Sequence, residues 1–137
     1  MQNTVELLKK LETEAKEKAV QDIRFIQDIQ PGQAIRQGDI YLLCVEESHP
    51  KGKRITDRQL APGSSMGSRH CVEGNVEIYE GVKAPAWCKS KLVGPVIIAR
   101  EERFKLVHPE HAHFDMPCGT FVTIFQLDPR TLLRVEE

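Results

Sequence analysis

The chain has 137 residues, 40% apolar and 28% charged, and its 19 basic and 20 acidic side chains give a net charge of -1. That size fits one domain with a core of its own, and the balanced charge argues against a general polyanion binder, which needs clustered positive charge. No stretch approaches about 18 consecutive apolar residues, so no membrane-spanning helix is expected. The charged start, MQNTVELLKKLETEAKEKA, has no apolar signal core, which points to a cytoplasmic protein.

Residues 3–29 read as one long helix. Val5, Leu8, Leu11, Ala15, Ala19, Ile23 and Ile26 recur at steps of three and four. Glu6 precedes Lys10, Glu12 precedes Lys16 and Glu14 precedes Lys18, each an acid-before-base pair one turn apart. Pro31-Gly32 ends the pattern. A helix of that length spans roughly 40 Å, more than so small a domain needs. Residues 3–29 are therefore expected either to meet a protein partner or a second copy of the chain, or to project into solvent. The chain divides into this helix (residues 1–30) and a β-domain (residues 31–137).

After Gly38 the pattern shortens. Asp39–Val45 (DIYLLCV) reads as a strand buried on both faces. Residues 46–69 carry His49-Pro50, Lys51-Gly52, Pro62-Gly63 and Gly67 and read as loop. Val76–Tyr79 and Leu92–Ala99 are strand candidates, with Pro95 marking an edge or a bulge. Phe104–Val107 and Gly119–Leu127 follow, and Thr131–Val135 is a last candidate. The expected fold is mainly β: a small antiparallel barrel or sandwich with one long N-terminal helix.

Cys44, Cys71, Cys88 and Cys118 make no CxxC motif and read as reduced thiols. Gly63-Ser64-Ser65-Met66-Gly67 matches G-x-S-x-G but lacks the strand-to-helix context of a nucleophile elbow. Lys51, Lys53, Arg54, Arg58 and Arg69 form a basic loop with no interleaved aromatics, so nucleic-acid binding is not expected.

The most informative segment is Leu106–Phe121, LVHPEHAHFDMPCGTF, which holds His108, His111 and His113. If residues 111–116 are extended, His111, His113 and Asp115 share one face. If HPEH is a helical turn, His108 and His111 pair instead. Either arrangement gathers imidazoles that can chelate zinc, iron or nickel, with His70 supplied from elsewhere. Glu110 or Asp115 then serves as a further ligand or as the base that activates bound water. A metal-free cluster can still do acid–base work, and a strand with one wet face shows the same alternation.

His111-Ala112-His113 with Pro117-x-Gly119 resembles the metal-binding strand of the cupins. Lys105 stands where cupins place a glycine, and Pro117 or Cys118 where they place a glutamate, so the cupin ligand set is not carried over. Over residues 37–135 the order Gly38-Asp39, Gly67-x-x-His70, His108-x-Glu110-His111 and Pro117-x-Gly119 resembles small uncharacterised bacterial proteins. That resemblance implies one site formed by His70, His108 and His111. The functional expectation is a metal-binding histidine cluster drawn from His70, His108, His111 and His113. The alternative is a non-enzymatic adaptor or assembly module that oligomerises through the N-terminal helix.

Overall fold

The computed structural model describes residues 22–88, 92–131 and 133–135. Over these residues the chain is all β. The strands are β1 (Ile23–Phe25), β2 (Ala34–Gln37), β3 (Ile40–Val45), β4 (Lys51–Ile55), β5 (Cys71–Glu73), β6 (Glu77–Gly81), β7 (Val93–Ala99), β8 (Phe104–Val107), β9 (His113–Met116) and β10 (Gly119–Phe125). One sheet has the order β2-β3-β10-β7-β6-β4 and the other β1-β9-β8-β5. Neither order closes on itself, so the fold is two open sheets rather than a barrel.

The expected N-terminal helix is corrected. Where its range is described, Ile23–Phe25 is a strand that pairs in parallel with His113–Asp115. The remainder, residues 3–21, lies outside the described residues. Among the described residues the only helical element is a three-residue 3-10 turn, Met66–Ser68. Ile23 and Ile26 fit a helical stripe, but Ile23-Arg24-Phe25 is also β-favouring. The open edge of β9 supplies partners that a lone helix end lacks. β1 precedes residue 31 yet belongs to the same sheet as β9, β8 and β5.

β3, β10 and β7 form the centre of the larger sheet and are buried on both faces. One face packs against the smaller sheet through Leu42, Cys44, Ile97, Phe104, Leu106, Phe114, Met116 and Phe121. Phe104 and Phe121 meet edge to face, ring centroids 5.4 Å apart, a geometry worth about 0.5–1.5 kcal/mol beyond burial. The other face packs Leu43, Val45, Val96, Ile98, Val122 and Ile124 together with Ala84 of the 82–88 segment.

The pairing of β10 with β7 slips between Val122 and Ile124, which face Val96 and Val93. The extra residue falls in Gly94-Pro95, so Pro95 lies at a bulge, where its missing N–H costs no ladder bond. A Cβ on Gly94 would come within 2.7 Å of the Phe125 ring, so this crossing needs glycine. The expected loop 46–69 contains β4, an exposed strand at the sheet edge. The last candidate strand is reduced to a single bridge between Leu127 and Arg134.

Candidate functional site

β2 and β3 are joined by a two-residue turn, Gly38-Asp39, closed by the Gln37–Ile40 pair. Gly38 sits at φ +57°, a left-handed value that glycine adopts without a Cβ clash. On either side of it, Gln37 and Asp39 are buried. His70 follows the 3-10 turn and is fully buried against both. Its Nδ1 lies 2.9 Å from Gln37 Oε1 and its Nε2 2.8 Å from Asp39 Oδ1.

The hydrogen bonds assign the protons. Gln37 Nε2 donates to the carbonyls of Leu106 and Ala112, at 3.2 and 2.8 Å. Its Oε1 is therefore the acceptor, and His70 Nδ1–H the donor. Arg134 Nη2 stands 3.7 Å from Asp39 Oδ2. Burial pushes the His70 imidazole below its ordinary pKa. The Asp39 hydrogen bond opposes that shift, while His108 and His111 reinforce it.

His108 leaves the end of β8 and is also buried. The Glu110 backbone N–H donates to its Nδ1 at 3.0 Å, so its Nε2–H is the donor to Gly67 O at 3.2 Å. His111 follows the Pro109 bend and is half-buried. The three rings touch in series: His70 to His108 is 4.4 Å between centroids, and His108 to His111 is 4.4 Å. His111 also lies nearly parallel to His70 at 6.4 Å. Beyond His111 a cavity of about 300 Å³ opens outward, lined also by Arg24, Arg36, Gln37 and Phe114.

Of the two geometries expected for residues 108–113, the bend pairs His111 with His108. His113 begins β9 and donates from Nε2 to the His108 carbonyl at 3.1 Å. Asp115 is held away from the histidines by Arg103, whose Nε donates to it at 2.7 Å. Arg103 also donates to the Ile26 carbonyl, tying β1 to β9. Glu110 is exposed and joins the cluster through its backbone alone. Both nitrogens of His70 and of His108 are engaged by protein groups. Among the described residues no group of three or more His, Cys, Asp and Glu is arranged to hold a metal ion. The Ser65 hydroxyl meets Ser68 Oγ at 3.1 Å, a turn contact. Burial raises the Cys71 thiol above its ordinary pKa, which disfavours a thiolate nucleophile beside His70.

The residues that sequence reasoning missed are Gln37, Asp39 and Arg134. The available signal was two polar side chains flanking Gly38 immediately before an apolar run.

No helix among the described residues is long and apolar enough to cross a membrane. No curated protein and no solved structure matches the chain. The cupin resemblance therefore gains no support. A family described as a domain of unknown function, DUF8820, matches residues 36–126. That range encloses Gln37, Asp39, His70, His108 and His111 and stops short of Arg134. The chain belongs to the DUF8820 family.

Proposed function

We propose that this domain is a small-molecule-binding module whose working site is the His70–His108–His111 cluster. His111 is the side chain that meets the ligand. The observation that supports this reading is the unbroken run of side chains from buried Asp39 through His70 and His108 to His111 at the cavity. Burying polar and titratable groups costs stability, and apolar packing of similar volume does the same structural work at lower cost. An imidazole carries both a hydrogen-bond donor and an acceptor, so His111 suits a ligand that presents a polar group to it. His108 orients it, and the His70–Asp39 pair holds His108 from behind.

A divalent metal, zinc, iron or nickel, is the second reading, favoured by the 4.4 Å contact of His108 and His111. It requires the ion to displace a hydrogen bond now made by His108. Elemental analysis of chain purified without chelator, beside His111→Ala, separates the two. Stoichiometric metal that disappears in the variant replaces the first reading with the second. Metal-free protein whose His111 ring signals move on addition of small-molecule fragments supports the first. Fragments that leave the His111 and Ala112 signals unmoved, in metal-free protein, overturn it.

A further inference from the structure

The cavity outside His111 has a charge pattern of its own. Arg24 from β1 and Arg36 from β2 both line it, and no carboxylate does. Arg24 stands over the Phe114 ring at 5.8 Å and makes no ion pair among the described residues. Arg36 is fixed along one edge, Nε donating to the Gly38 carbonyl at 2.8 Å and Nη2 to Gln126 Oε1 at 2.9 Å. Both of those partners are neutral, so the guanidinium is positioned without being neutralised. Arg36 also lies 5.6 Å from the Tyr41 ring, which further restricts it.

Several other guanidiniums of the fold face carboxylates. Arg103 pairs with Asp115, Arg100 with Glu77 and Glu47, and Arg130 with Asp128. Arg24 and Arg36 are thus two cations left facing a concave space beside an imidazole. Guanidinium groups match the planar or tetrahedral oxygens of carboxylates and phosphates through paired N–H donors. A cavity near 300 Å³ is at the small end of ligand sites.

We infer that this cavity binds the oxyanion group of a small molecule, a phosphate or a carboxylate, gripped by Arg24 and Arg36 with His111 at its inner wall. The inference deepens the reading of the histidine cluster and rests on it for the role of His111. β1 supplies one cation and β2 the other, so the site is assembled from strands of different sheets. Phe114 supports Arg24 from below and supplies an aromatic edge for the rest of the ligand.

The test is an amide NMR titration of the full chain with inorganic phosphate and, separately, with succinate, in low-salt buffer. Saturable shifts at Arg24, Gly38 and Ala112 are expected, weakening as sodium chloride is added. Arg24→Glu and Arg36→Gln should each weaken binding by about tenfold or more, the scale of a hydrogen bond to a charged group. Arg24→Lys should retain part of it, which separates lost charge from lost fold. Binding of phosphate alone assigns a phosphate-bearing ligand, and binding of succinate alone a carboxylate. No saturable shift with either, or equal binding by the Arg24→Glu/Arg36→Gln chain, overturns the inference. Arginine-dependent binding that His111→Ala leaves unchanged keeps the anion site and removes His111 from it. His111 signals that answer neutral fragments while neither anion binds do the reverse.

Discussion

The central ladder of β3, β10 and β7 and the loop end around His70 are both buried, yet they are built from different kinds of contact. In the ladder, apolar side chains pack on both faces, and each touches several neighbours of similar chemistry. Dispersion and apolar burial have no direction, so damage there is graded by the volume removed. Around His70 the ring nitrogens have assigned partners: Gln37 for Nδ1 and Asp39 for Nε2 of His70, Gly67 and the Glu110 N–H for His108. Hydrogen bonds are directional, and a buried group left without its partner bears the full desolvation cost. The ladder supplies stability, and the loop end spends part of it on holding a defined arrangement.

The largest effect should come from the ladder. Phe121 is fully buried between the sheets, and Phe121→Ala should cost about 3–5 kcal/mol in urea unfolding. A loss near zero would mean that the sheets do not pack through this ring. Asp39→Asn should cost about 1–3 kcal/mol, since the amide keeps one acceptor but loses the charge. Its sharper sign is local: the His70 and His108 ring signals should move while amides of β3 and β7 stay in place.

Acid should separate the two regions further. His70 is held below its ordinary pKa by burial, so the unfolded chain takes up its proton first as pH falls. The stability this group contributes is complete above about 6.5, the unfolded value, and is lost as pH falls toward the folded one. Unfolding midpoints measured from pH 7 to pH 5 should therefore fall, and His70→Gln should flatten that slope. An unchanged slope in the variant would remove His70 as the cause.

The smallest effect is kinetic and leaves stability untouched. Burial, then Glu46 and Asp28, raise the Cys44 thiol above its ordinary pKa, and the side chain is enclosed. A maleimide should label exposed Cys118 readily and Cys44 only on unfolding. Equal labelling would show that the ladder opens without global unfolding.

Much of the ladder is legible in the sequence, because IYLLCV, VGPVIIA and GTFVTIF are apolar runs of strand length. β4 is not, because KGKRI is an edge strand whose lysines and arginine face water, and charge there guards against edge pairing. β1 is three residues long, too short for any period to show, and its strand state comes from β9. The meeting of His70, His108 and His111 was anticipated from their spacing and resemblance. Their partners were not, since Asp39 and Gln37 lie 31 and 33 positions from His70 and no local pattern joins them. Alternation places Asp115 on the His113 face, while the partner of its carboxylate is Arg103, which no local pattern announces.

The parallel pairing of β1 with β9 also carries a consequence for synthesis. Ile23 must wait for His113. At translation rates of about 5–20 residues per second, that interval is roughly 5–20 s. Over it Ile23 and Phe25 have no strand to join, while the β2–β3 hairpin can close locally. Arg24 reaches its cavity only when β9 has been made, so a ribosome-bound chain truncated before residue 113 would hold Arg36 in a hairpin but lack the anion grip. Ligand competence would then wait on the ribosome until β9 has been made.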